Sequence, residues 1–139
     1  MSEVYSVDVE ITAPVQPTER TERVAEAIRA LFPAAEPAER YGELTATVHD
    51  LEHFSECLHR QEILDTARSV FFENRRGDAF SFRLKKGPAL QGVVNFTVGD
   101  ASELGDIAVR VQVAEPDVEA YVDHVAPPTE EGKPVEPRD

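Results

Sequence analysis

Tyr5-Ser6-Val7-Asp8-Val9-Glu10-Ile11-Thr12 alternates apolar and polar side chains without a break. Successive side chains on a strand point to opposite faces, so this run predicts a strand with Tyr5, Val7, Val9 and Ile11 turned inward. A strand with one apolar face belongs to a sheet covered on one side. The same alternation returns at Leu44, Ala46 and Val48, at Phe80, Phe82 and Leu84, at Val94, Phe96 and Val98, and from Ile107 to Val113. Alternating strands of this kind predict an antiparallel sheet rather than a doubly buried parallel one.

Between these runs the period changes to that of a helix. Val24, Ala27, Ile28 and Leu31 form one apolar stripe, stopped by Pro33. Thr18 is the expected N-cap of this helix, and Asp50 that of a second helix carrying Leu51, Phe54 and Leu58. Ile63, Ala67, Val70 and Phe71 share a face of a further helical stretch that ends near Asn74. Pro116-Asp117 opens a short helix with Val118, Tyr121, Val122 and Val125. The expected architecture is α+β: two layers, with a mostly antiparallel sheet and helices packed on one face. From Pro127 the chain is rich in Pro and Glu with little to bury, so a single domain over 1–126 and a disordered acidic, Pro-rich tail over 127–139 are expected.

The chain has 139 residues, and 14 Lys+Arg oppose 27 Asp+Glu for a formal charge of −13. No apolar run approaches the ~18 residues of a membrane span, and no basic stretch leads an apolar one at the N-terminus. A cytoplasmic protein without membrane contact is the expectation. One cysteine, Cys57, excludes an intramolecular disulfide framework and a Cys-rich zinc module. Eleven of the 14 bases are arginine. Many carboxylates and few lysines suit a halophilic protein whose acidic surface works in concentrated salt, where the Debye length falls to about 3 Å.

Catalytic and cofactor signatures are weak. Cys57 has His53 four residues before it, but it borders an apolar stripe, where cysteine is usually a small buried hydrophobe. His49, His53 and Glu56 lack the HExxH spacing of a zinc helix, and the seven glycines form no phosphate-cradling loop. Neither an enzyme nor a cofactor is expected.

The charge is unevenly distributed. Arg60 to Lys86 holds seven bases against four acids, and the rest of the chain holds seven bases against 23 acids. If 60–75 were one helix, Arg68 and Arg75 would lie about 80° and 60° from Arg60, on a shared flank. Lys85-Lys86 then ends a strand and enters the loop Gly87-Pro88-Ala89. Clustered guanidinium and ammonium groups are what phosphate recognition requires. Internal pairing is the competing fate, because Asp65, Glu62 and Glu73 lie within a helical turn of these bases.

Several stretches carry a family resemblance. They are Arg60-Gln61-Glu62-Ile63-Leu64-Asp65-Thr66-Ala67-Arg68, Phe82-x-Leu84-x-Lys86, Gly92-x-Val94-Asn95-Phe96, Leu31-Phe32-Pro33 and the opening strand. Together, over roughly residues 4–126, the chain resembles an uncharacterised archaeal protein family labelled as predicted exosome-associated, RNA-binding proteins. The resemblance implies a fold similar to the 5S-RNA-binding large-subunit ribosomal protein and, with the acidity, a haloarchaeal source. It also implies RNA as partner, with exosome or ribosome-related proteins nearby. The residues expected to contact RNA backbone are Arg60, Arg68, Arg75, Lys85 and Lys86, with Asp65 holding Arg68. After Lys86 the chain departs from the family pattern: Gly87-Pro88 stands where a polar residue and an alanine are expected, and proline offers no N–H. The alternative expectation is a protein-interaction module whose basic flank meets an acidic partner.

Overall fold

A computed structural model describes residues 4–130 and 133–134 of the chain. Strand β1 (Ser6–Pro14) is central. It pairs antiparallel with β3 (Glu43–Val48) on one side and β6 (Ile107–Glu115) on the other. Ile11 thereby faces Ala46 across one ladder and Val109 across the other. Outside these lie β2 (Ala38–Arg40), beyond β3, and β5 (Ala79–Leu84) followed by β4 (Arg75–Arg76), beyond β6. The six strands run in the order β2-β3-β1-β6-β5-β4, antiparallel throughout, and the sheet does not close.

Five helices pack on it: α1 (Thr21–Leu31), α2 (Glu52–Arg60), α3 (Leu64–Glu73), α4 (Lys86–Leu90) and α5 (Val118–Val125). The predicted apolar stripes are the buried ones. Val7, Val9, Ile11 and Ala13 meet Val24, Ala27, Ile28 and Leu31 in one continuous core. Phe54 stacks between Phe32 and Phe82 at 5.4 and 5.2 Å, and Phe71 lies 4.8 Å from Phe80. Each such fully buried aromatic contributes about 1.5–3 kcal/mol. The other face of the sheet carries polar side chains, among them Glu10, Thr12, Ser81 and Arg110. Among the described residues no helix is long and apolar enough to cross a membrane.

Four local expectations change. Thr18 does not cap α1, which starts at Thr21 after Arg20. Asp50 does accept from the Glu52 N–H at 3.0 Å, but one residue ahead of the capping position, held by Leu51. The stretch 60–75 is not one helix: Glu62 sits at φ +57° between α2 and α3 and turns the chain there. Val94-Phe96-Val98 forms no strand. Gly92 and Gly99 have positive φ at its two ends, and pairing is limited to one bridge, Leu84 with Phe96.

The expected tail, 127–139, lies only partly within the described residues. Of those, Thr129–Glu130 (β7) pairs with Lys133–Pro134 (β8), and the Thr129 hydroxyl donates to Asp65 at 2.6 Å.

Candidate functional site

The predicted basic residues fall into two groups: those in ion pairs with the fold, and those that make no ion pair among the described residues. Lys86, the first residue of α4, is the clearest case of the former. Its ammonium donates to the Pro14 carbonyl (2.6 Å), to Glu19 (2.9 Å) and to the Leu104 carbonyl (2.7 Å). An ammonium has three donors, so none remains. Its side chain is 11% exposed, and it ties the end of β1, the approach to α1 and the 97–106 loop together. Gly105 permits this closeness: at φ +81° its added Cβ would meet Pro14 Cγ at 2.5 Å.

Arg68 and Arg75 are joined to α5. Arg68 donates to Asp123 at 2.7 Å and to the Ala126 carbonyl at 2.9 Å, just past the end of α5. Its guanidinium also lies 5.3 Å from the Phe72 ring centre. The expected Asp65–Arg68 pair is replaced by this longer-range one, and Asp65 accepts from Thr129 instead. Arg75 donates to the Gly77 carbonyl (3.1 Å) and lies 3.4 Å from Glu119. The shared flank of Arg60, Arg68 and Arg75 does not form, because the turn at Glu62 separates α2 from α3.

Arg60 and Lys85 differ from these. Arg60, the last residue of α2, is exposed and gives one N–H to Cys57 Sγ at 3.3 Å. Lys85 is exposed. Among the described residues neither makes an ion pair. They flank one segment. Gln61, next to Arg60, uses its side-chain amide as a strand would, donating to the Val94 carbonyl (2.9 Å) and accepting from the Val94 N–H (2.8 Å). On the far side the Lys85 N–H donates to the Asn95 carbonyl at 3.0 Å. Asn95 is exposed between them while Val94 is buried. Gln61 and Asn95 were not singled out from the sequence, although both fall in the stretches that carry the family resemblance.

Of the residues considered for catalysis and metal binding, Cys57 and His49 have partners outside that set, and His53 stands beside Glu56 within it. Cys57 is buried, and burial pushes its thiol up against the opposing pull of Arg60. His49 lies 3.1 Å from Asp8, whereas His53 lies 3.7 Å from Glu56.

An open antiparallel sheet with helices on one face defines a small α+β domain. The chain belongs to the archaeal UPF0201 family. It is 37% identical to a UPF0201 protein of Methanopyrus kandleri, with 91% of this chain and 89% of that protein covered. It is 35% identical to a UPF0200/UPF0201 protein of Archaeoglobus fulgidus over 94% of this chain, but spans only 40% of that longer relative. The crystal structure of a UPF0201 protein from Methanococcus jannaschii superposes with a TM-score of 0.86 at 32% identity, covering 93% of this chain and 99% of that one. No family model matches the chain.

Proposed function

We propose that the chain is a non-catalytic RNA-binding protein of a salt-adapted archaeal cytoplasm, gripping RNA backbone at the Arg60–Lys85 edge. The observation that supports this is the contrast within the basic segment. Lys86, Arg68 and Arg75 form ion pairs within the fold, while among the described residues Arg60 and Lys85 form none, Arg60 giving only one N–H to Cys57 Sγ. They stand beside the segment that the Gln61 side chain and the Lys85 N–H hold by hydrogen bonds to its backbone. Exposed Asn95 adds an amide between them. Amides and guanidinium forks recognise phosphate and 2′-OH groups by geometry, which survives salt better than bulk charge does. The likeness to the 5S-RNA-binding ribosomal protein and the exosome context belong to this same reading. The test is an anisotropy titration of labelled structured RNA at about 1 M KCl. Wild type should bind, and Arg60→Glu with Lys85→Glu should weaken binding at least about tenfold with the circular dichroism unchanged. Absence of wild-type binding at every salt concentration would overturn the reading.

A second reading has its own observation. In the Archaeoglobus relative, the matched part is less than half of a protein whose name joins UPF0200 and UPF0201. Covalent joining raises the effective concentration of two modules for each other. On this reading the chain docks a separately encoded UPF0200 protein. Co-migration of the two on size exclusion, lost on reversing Arg60 and Lys85, would favour it over RNA; separate elution would remove it.

A further inference from the structure

The uncovered face of the sheet is not flat. It carries a groove of about 480 Å³ beside β5 and β6, within the range of small-molecule sites. Ala108, a small side chain in the middle of a polar face, is among its lining residues. The ladders set what stands around it. Thr12 and Arg83 lie directly beside Ala108, and Glu10 and Ser81 directly beside Arg110. Arg83 and Arg110 are therefore diagonal neighbours on adjacent strands, a spacing that long side chains bridge.

The third wall is Thr97-Val98-Gly99, and it is built rather than loose. Asp106, buried, accepts from the Thr97 hydroxyl (2.9 Å), the Ser102 hydroxyl (2.5 Å) and the Ser102 N–H (3.0 Å). Arg83 donates to the Gly99 carbonyl at 2.6 Å and lies 3.9 Å from Asp106. These contacts hold one side of the Arg83 guanidinium against the 97–106 loop. Arg110 gives one N–H to Gln112 at 3.1 Å and, among the described residues, makes no ion pair although Glu10 stands beside it. Around the edge of β5 the lining turns apolar, with Val70, Phe82 and the exposed Val98. Glu10 and Glu73 complete the rim.

The groove thus combines the Arg110 guanidinium, those N–H groups of Arg83 not given to Gly99, two carboxylates and an apolar strip. The Arg110 guanidinium with the remaining N–H groups of Arg83 matches a phosphate monoester. Carboxylates accept from hydroxyl and amino groups, as acidic side chains do toward ribose. We propose that this groove binds a nucleoside monophosphate, its phosphate between Arg83 and Arg110, and Glu10 and Glu73 accepting from its sugar or base. The unit is either a free nucleotide or the 5′-phosphorylated end of a strand. Arg60 and Lys85 do not line the groove, so the inference stands apart from the RNA reading.

The test is an amide NMR titration with AMP, adenosine and inorganic phosphate at constant ionic strength. AMP should shift the amides of residues 97–99 and 108–110 saturably, and adenosine and phosphate should bind far more weakly. Arg110→Gln should weaken AMP binding about tenfold or more. Ala108→Leu, which fills the groove from an exposed face, should abolish it with the fold intact, and Arg60→Glu with Lys85→Glu should leave it unchanged. A trinucleotide with a 5′-phosphate that competes with AMP, where its 5′-hydroxyl counterpart does not, assigns the strand end; competition by neither assigns the free nucleotide. No saturable shift with AMP, adenosine binding as tightly as AMP, or unaltered binding in both groove variants would overturn the proposal.

Discussion

Lys86 and Glu19 meet at 2.9 Å with side chains only 11% and 13% exposed, joining residues that are 67 positions apart in the chain. The pair is one corner of a network that also includes two backbone carbonyls. Its neighbour Lys85 points into solvent.

Lys86→Met removes the ammonium and leaves the Glu19 carboxylate nearly buried without its counter-charge. The expected loss is about 1–3 kcal/mol, below that of a fully buried pair. Lys85→Met should change stability by no more than about 0.5 kcal/mol. Urea unfolding of the two variants side by side measures both, and similar losses would refute the assignment of Lys86 to the fold.

Arg68→Lys keeps the charge but not the fork. The variant should lose about 1 kcal/mol, because one ammonium cannot hold Asp123 and the Ala126 carbonyl and also lie over Phe72. RNA affinity should not change. Weakened RNA binding at unchanged stability would return Arg68 to the interface.

Asp106 predicts a pH dependence. Burial pushes its carboxyl up, but the hydrogen bonds from Ser102 and Thr97, helped by Arg83, outweigh this and hold it below the usual carboxylate range. A depressed folded-state value means the contribution is complete above the unfolded value of about 3.9 and is lost as pH falls through the folded one. Asp106→Asn should therefore be less stable than wild type at neutral pH, and the gap should close below about pH 4. A gap that stays constant down to about pH 2 would mean the carboxylate charge contributes nothing.

The salt response tests the acidity. Melting temperature should rise between about 0.1 M and 2 M KCl, as screening relieves repulsion among the carboxylates. A flat or falling profile would reject salt adaptation.

The sheet and its covering helices were legible because they depend on short periods. Val7, Val9 and Ile11 show their face within six residues, and the α1 stripe within eight. The turn at Glu62 has no composition signal, since a non-glycine sits at positive φ, although the apolar phase does change there: Leu51, Phe54 and Leu58 share one helical face, and Ile63, Ala67 and Val70 lie on nearly the opposite one. Val94-Phe96-Val98 has the right alternation, but Val98 is 77% exposed and the pairing ends at a single bridge. The free and engaged bases were the least legible. Arg68 finds Asp123 across 55 positions and Lys86 finds Glu19 across 67, whereas helical spacing offered Asp65 and other near neighbours. Likewise, the groove over Ala108 depends on register between strands that no local pattern reveals.

The amide of Gln61 does the work of a neighbouring strand for the 92–96 segment. Beyond it, that segment reaches the sheet by two backbone bonds around one bridge, Lys85 N–H to Asn95 and Thr97 N–H to Arg83. Side chains hold it as well, with Val94 buried and Phe96 edge-on to Phe54, Phe71 and Phe82, so packing rather than ladder pairing anchors this part of the sheet edge. Its amides should exchange with deuterium well before those of β1 and β6. The cationic side chain of Lys85 therefore borders a stretch that is fixed by its buried side chains and only lightly by backbone pairing, so its outer amides can take a partner's hydrogen bonds while the core beneath them stays closed.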